Sequence, residues 1–204
     1  MNLHISRDNL LTTRAILNTV LRDDHGEPRY RIETSFEHTR ENETTISRFL
    51  PETGTSGTKN PPAPSVKGNT AEETDILLRS LSEQEFAKIE WHRFHPTVFK
   101  WAGKTVEIDS YMPYSNTVMT KRAFTATDGK SYVWKLGTVR SSLTRNDGTT
   151  ETPIATYHRG FFGLMGKTDK PYLEISSEGL NILDEIVVTF VYIERRRQQR
   201  ERGT

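Results

Sequence analysis

His92 and His95, with Glu90, Asp109 and His158 as further donors, are the residue types in this 204-residue sequence that ligate zinc or another divalent metal. Their spacing argues against a joint site. Residues three apart share a face of a helix but lie on opposite faces of a strand, and Pro96 ends the segment, which puts His95 in a turn. A metal-assisted enzyme built on His92, His95 or His158 is therefore only an alternative reading, as is a structural or stress-associated scaffold. The acid pairs Asp23-Asp24 and Asp184-Glu185 are of the kind that serve as general acid and base, but turn chemistry explains the first and a helix start the second. The nearest approach to a phosphate loop runs from Phe161 to Thr168, and it fails because Phe161 stands where the tight turn needs glycine. Gly-x-Ser-x-Gly does not occur. There is no cysteine, which removes disulfides, thiolate metal sites and cysteine nucleophiles. No catalytic residue and no cofactor is expected.

Basic side chains offer a different chemistry. Lys100, Lys104, Lys121, Arg122, Lys135 and Arg140 fall on neighbouring hairpins, where they can form a patch for a phosphate headgroup, and Arg195, Arg196 and Arg197 open an arginine-rich tail over 195–204. With 28 Lys and Arg against 27 Asp and Glu, any such patch has to be local. The aromatic residues Trp91, Trp101, Phe124, Tyr132 and Trp134 alternate with charge, as a base-stacking platform would, but they alternate equally well as core, so nucleic acid is not an expected partner.

The elements that must carry these residues are short strands. Tyr30, Ile32, Thr34 and Phe36 fall on one side of an extended chain, and Arg29, Arg31, Glu33 and Ser35 on the other. The run Arg14–Leu21 is β-compatible, and the turn residues from Asp23 to Pro28 join the two as a hairpin. Asp128-Gly129 divides a second hairpin between Lys121 and Leu136. Weaker strands read at Thr44–Phe49, Phe86–Phe94, Val98–Trp101, Thr105–Asp109, Pro153–His158 and Tyr172–Ser176. About ten strands predict a mainly β fold, an antiparallel barrel or sandwich, in one domain over 1–204. Pro51–Thr74 reads as an inserted loop, Thr74–Leu81 as a short helix, and Gly160–Lys170 as a hairpin loop. From Leu180 to Ile193 nearly every position is apolar. Six of the eight residues from Ile186 to Ile193 are β-branched, which favours a strand, whereas the acids before them and arginines after them suit a helix dipole. A helix apolar all round is stable only when surrounded, and a barrel would surround it. No run approaches the roughly 18 to 20 apolar residues that cross a bilayer, and the first ten residues lack a signal peptide's apolar stretch, so an intracellular address is expected.

Four segments carry a resemblance: Asp24-His25-Gly26-Glu27-Pro28-Arg29-Tyr30-Arg31-Ile32, the stretch from Glu85 to His92, the hairpin from Asp128 to Lys135, and the ending from Leu183 to Glu194. Together they resemble an uncharacterised domain family abundant in mushroom-forming fungi. That family is placed in the tubby C-terminal-like superfamily, with the plant LURP-one-related proteins and the phospholipid scramblases. The resemblance implies an antiparallel barrel of about 10–12 strands, twelve in full, closed around a buried hydrophobic C-terminal helix, and so decides the last segment in favour of helix. Tubby domains bind phosphoinositide headgroups through basic side chains on the barrel wall. No such motif matches here residue by residue, so no site is transferred. The expected function is a non-enzymatic intracellular binding module that recognises an anionic lipid headgroup or a protein partner. It would be cytoplasmic, with nuclear or peripheral membrane association left open by the arginine run.

Overall fold

A computed structural model describes residues 1–5, 15–37, 40–50, 82–137, 140–148, 152–160 and 170–202. The expectations for Pro51–Thr74, for the Thr74–Leu81 helix and for most of the Gly160–Lys170 loop lie outside these residues. Twelve strands follow in chain order: β1 (Asn2–Ile5), β2 (Thr19–Arg22), β3 (Pro28–Glu37), β4 (Arg40–Phe49), β5 (Glu83–Glu90), β6 (Val98–Trp101), β7 (Lys104–Glu107), β8 (Lys121–Thr125), β9 (Ser131–Leu136), β10 (Ser141–Arg145), β11 (Pro153–His158) and β12 (Tyr172–Ile175). A short helix α1 (Ile108–Tyr111) lies between β7 and β8, and a long helix α2 (Leu183–Arg202) ends the chain. All strand pairs are antiparallel and form one sheet in the order β7-β6-β5-β4-β3-β2-β1-β12-β11-β10-β9-β8.

Alternation builds the wall. Tyr30, Ile32 and Thr34 of β3 point inward and are buried, but Phe36, the fourth residue of that series, is 41% exposed. A bulge between Ser35 and Phe36 shifts the register and spoils the alternation there. In the β8–β9 hairpin the inward row Arg122, Phe124, Ala126, Tyr132, Trp134 and Leu136 is buried throughout. Gly129 closes its turn at φ +79°, a conformation that side chains resist, and the Asp128 carboxylate accepts hydrogen bonds from the Lys130 N–H at 3.0 Å and the Tyr132 hydroxyl at 2.8 Å. The run Arg14–Leu21 is not one strand: residues Ala15–Leu17 make a 3-10 turn before β2.

The wall decides the conformation of α2 against local preference. Residues Ile186 to Ile193 are 0–2% exposed all round, and aromatic rings from distant strands meet them: Trp134 and Tyr157 lie 6.2 and 5.2 Å from Phe190, and Phe99 and Trp91 lie 5.7 and 6.0 Å from Tyr192. A strand in that position would leave its backbone groups without partners, whereas a helix satisfies them internally. The Trp134 indole N–H donates to the Thr189 hydroxyl at 2.9 Å, which in turn donates to the Glu185 carbonyl at 2.8 Å.

Closure departs from expectation too. The sheet curls around α2, but among the described residues no ladder joins β7 to β8, so the barrel is open as a hydrogen-bonded object. Side chains span the seam instead. Tyr111 of α1 sits 6.2 Å from Trp101 on one flank and 5.8 Å from Phe124 on the other. The arginine run belongs to α2, which stays helical through Arg202.

Candidate anion-binding site

The helix gives the molecule two ends. At the start of α2, Asp184 accepts hydrogen bonds from the Tyr30 hydroxyl at 2.7 Å and Arg48 at 2.9 Å. Glu185, 2% exposed, accepts from the Tyr111 hydroxyl at 2.5 Å and from the N–H and hydroxyl of Thr127, each at 2.9 Å. Both acids complement the positive end of the helix dipole. The surrounding described turns carry Asp23, Asp24, Glu27, Asp128, Asp147 and Glu178; exposed Arg29 and Lys104 flank them at the starts of β3 and β7, and Arg22, Lys130 and Arg145 lie among them. Those three cations are engaged locally: Arg22 donates to the Gly26 carbonyl at 2.9 Å, Lys130 lies 3.7 Å from Asp128, and Arg145 pairs with Asp147 and, at 3.2 Å, with Glu178.

The opposite end is built differently. Strands β5 and β8 run antiparallel in space, yet β5 ends and β8 begins at the same turn of α2: Trp91 stacks on Tyr192, and the Arg122 guanidinium lies 5.2 Å from the same ring. The loops 91–97 and 112–120 therefore leave the barrel together, beside the emerging helix. Among the described residues, exposed cations Arg40, Arg93, Arg140, Arg159, Lys170, Arg200 and Arg202 occupy this end, with Glu37, Glu107, Asp109 and Glu201 as the exposed acids. Asp109 is already held by buried Arg122 at 2.9 Å, and Glu201 pairs with buried Arg197 at 2.6 Å and with Arg159 at 2.9 Å, so Arg159 is engaged as well. Beneath a whole-chain net charge near zero, the described residues thus show an axial separation of charge.

Several predicted contacts are not on this surface. Arg122 is 2% exposed; it donates to the Met112 carbonyl at 2.6 Å and lies 3.7 Å from the Tyr114 ring, which makes it a structural cation inside the wall. Arg195 and Arg197 are each 4% exposed, the first paired with Glu41 and the second forming a two-pronged pair with buried Glu194 at 2.5 and 2.7 Å. These three are corrected from surface ligands to internal partners, because an arginine that has to leave water is kept there only by a matched acid or carbonyl. Lys100 pairs with Glu90 on the outer face of β6. Lys100 and Lys104 line a shallow groove of about 490 Å³, but Lys88, Glu43 and Glu85 share it, and Lys88 lies 3.1 Å from Glu43, so carboxylates answer the charge. Lys121 and Lys135 stand directly opposite each other on β8 and β9, and Arg140 is exposed in the next turn. Arg196 is half-buried near the Tyr114 hydroxyl; burial raises that phenol, but Arg122 and Arg196 outweigh it and the net shift is downward.

The histidines do not assemble. His92 lies 3.9 Å from Glu90, His158 stacks on Tyr172 at 4.5 Å with Glu174 at 2.8 Å, and five strands separate β5 from β11. Among the described residues no three of His, Asp and Glu are placed to hold a metal ion. What sequence reasoning missed at the basic end is its apolar component: Phe36 is 41% exposed, Phe94 81%, Val118 71% and Met119 54%. For Val118 and Met119 the available signal was an aliphatic residue in loop sequence, outside any alternating run; Phe36 and Phe94 were hidden because each reads as part of a strand.

Neither a curated protein nor a solved structure matches the chain. A model for a family of unknown function, DUF6593, matches residues 14–199, and the chain belongs to that family.

Proposed function

We propose that this protein is a non-enzymatic binding module that meets an anionic partner with the end of its barrel from which α2 emerges. The observation that carries this reading is the axial separation of charge among the described residues: acidic turns hold most of their own cations at one end, while exposed arginines outnumber exposed acids at the other. Each Lys or Arg brought to an anionic surface contributes about 1 kcal/mol, so a handful acting together supplies useful affinity without a deep pocket. His4 and His158 are paired with Asp24 and Glu174, and Asp109, Asp184, Glu185 and Glu194 are held in structural hydrogen bonds and ion pairs, which supports binding over chemistry. Twelve antiparallel strands around a C-terminal helix are also what kinship with the tubby C-terminal-like superfamily implies. That kinship, and an intracellular and peripheral station, are part of the proposal. The anion is met here by the rim of the barrel rather than by its wall.

Immobilised heparin probes this charge directly, with no bilayer present. The wild-type chain should be retained to higher salt than an Arg93→Glu, Arg140→Glu, Arg202→Glu variant. Co-elution of the two would remove the basic end as the anion-binding surface.

A further inference from the structure

We infer that the basic end docks on an anionic lipid bilayer and inserts Phe94, Val118 and Met119 among the acyl chains, an inference that rests on the charge reading above and names its partner. Six large apolar residues are exposed among the described ones, and four of them, Phe36 with these three, belong to this one end. The other two, Leu50 and Leu180, lie at the acidic end. Apolar side chains held in water beside arginines match the layered chemistry of a membrane interface, with headgroup phosphates above hydrocarbon.

Loop 112–120 holds its apolar tip outward. The Asn116 side-chain oxygen accepts the N–H groups of Thr120 and Lys121, each at 2.9 Å, its amide donates to the Thr120 hydroxyl at 2.8 Å, and its carbonyl accepts from the Met119 N–H at 3.1 Å. Met119 is left at φ +53°, unusual for a side chain of that size, with its carbonyl accepting a hydrogen bond from Arg200. Val118 and Met119 are thereby tied away from the core instead of collapsing onto it. Loop 91–97 is anchored at both roots, by the Trp91 N–H on the Asn42 carbonyl and the Ile108 N–H on the Thr97 carbonyl, each at 2.9 Å. At its tip the Arg93 guanidinium lies 4.9 Å from the Phe94 ring. Each loop thus presents an apolar side chain beside a cation, the arrangement by which peripheral proteins combine insertion with headgroup attraction. A soluble acidic protein would answer the arginines but gives no account of a rigidly presented valine and methionine.

The absence of cysteine makes a clean test possible. Single variants Phe94→Cys, Val118→Cys and Leu180→Cys would each carry one environment-sensitive NBD label. Vesicles of phosphatidylcholine containing phosphatidylserine should shift the label to the blue at 94 and 118 and leave it unchanged at 180, while phosphatidylcholine alone should shift none. The unlabelled Phe94→Ser, Val118→Ser, Met119→Ser variant should sediment with the anionic vesicles at least about tenfold less well, since much apolar burial is removed, and should keep its wild-type heparin retention. Unshifted labels at 94 and 118, or equal shifts at all three sites, would overturn insertion. Heparin binding without vesicle binding would leave the charge reading standing and assign the end to a soluble or protein anion instead.

Discussion

The two ends of α2 solve the same problem, a charged helix terminus at the mouth of an apolar barrel, in opposite ways. At its start, Asp184 and Glu185 are satisfied by hydroxyls, a backbone N–H and one arginine of the wall, and the neighbouring acidic turns compensate their own cations. At its end, Arg195 and Arg197 are drawn inside with Glu41 and Glu194, while Arg200 and Arg202 continue into a surface rich in arginine and exposed apolar side chains. Self-satisfied polar groups make a terminus that needs nothing more. Cations left in excess beside apolar tips make one suited to a partner. The difference teaches that sequence proximity within the arginine run says little about role, since alternate residues of one helix divide between core and surface.

Four perturbations break or sharpen this contrast. Arg197→Met leaves Glu194 buried without its cation and is expected to cost about 3–5 kcal/mol, read as a lower urea midpoint; the double variant with Glu194→Leu should recover most of the loss. At the other end, Glu185→Ala removes the acceptor of three hydrogen bonds from partly buried donors and is expected to cost about 1–3 kcal/mol in the same assay. Arg202→Ala should stay within about 0.5 kcal/mol of wild type in stability yet reduce retention on heparin, which separates the binding cations from the structural ones. Smallest is Asp24. Hydrogen bonds from the Asn2 backbone and side chain, with a lesser contribution from His4, lower its carboxyl to about 2. A depressed folded value stabilises above the unfolded carboxylate range near 4 and is lost as pH falls from about 4 to about 2. Solvent screens this largely exposed group, so Asp24→Asn should remove about 1 kcal/mol or less of stability at neutral pH and flatten that part of the acid profile.

Local chemistry made much of the wall legible. Alternation found β3 and the β8–β9 hairpin, the Asp-Gly turn placed Gly129 correctly, and β11 coincides with Pro153–His158. Strand β1 escaped because four residues carry too little pattern, and β10 because Ser141-Ser142-Leu143-Thr144 reads as polar although its ladder with β9 and β11 buries it. The α2 segment was undecidable from its own residues, since β-branching argued for a strand and only the surrounding wall makes helix the better solution. The site was less legible still. Arg122 alternates with aromatic residues facing inward, a sign that it belonged to the core row, but the acceptors that permit its burial, the Met112 carbonyl and Asp109, come from a different segment. The convergence of loops 91–97 and 112–120 at Tyr192 is a tertiary fact with no local trace.

The most direct measurement is hydrogen–deuterium exchange of the unmodified chain with and without phosphatidylserine-containing vesicles. Protection gained in residues 91–97 and 112–120, with the turns at 23–27 and 127–130 unchanged, is the predicted result. Protection at the acidic turns, or an equal change at both ends, would contradict the account.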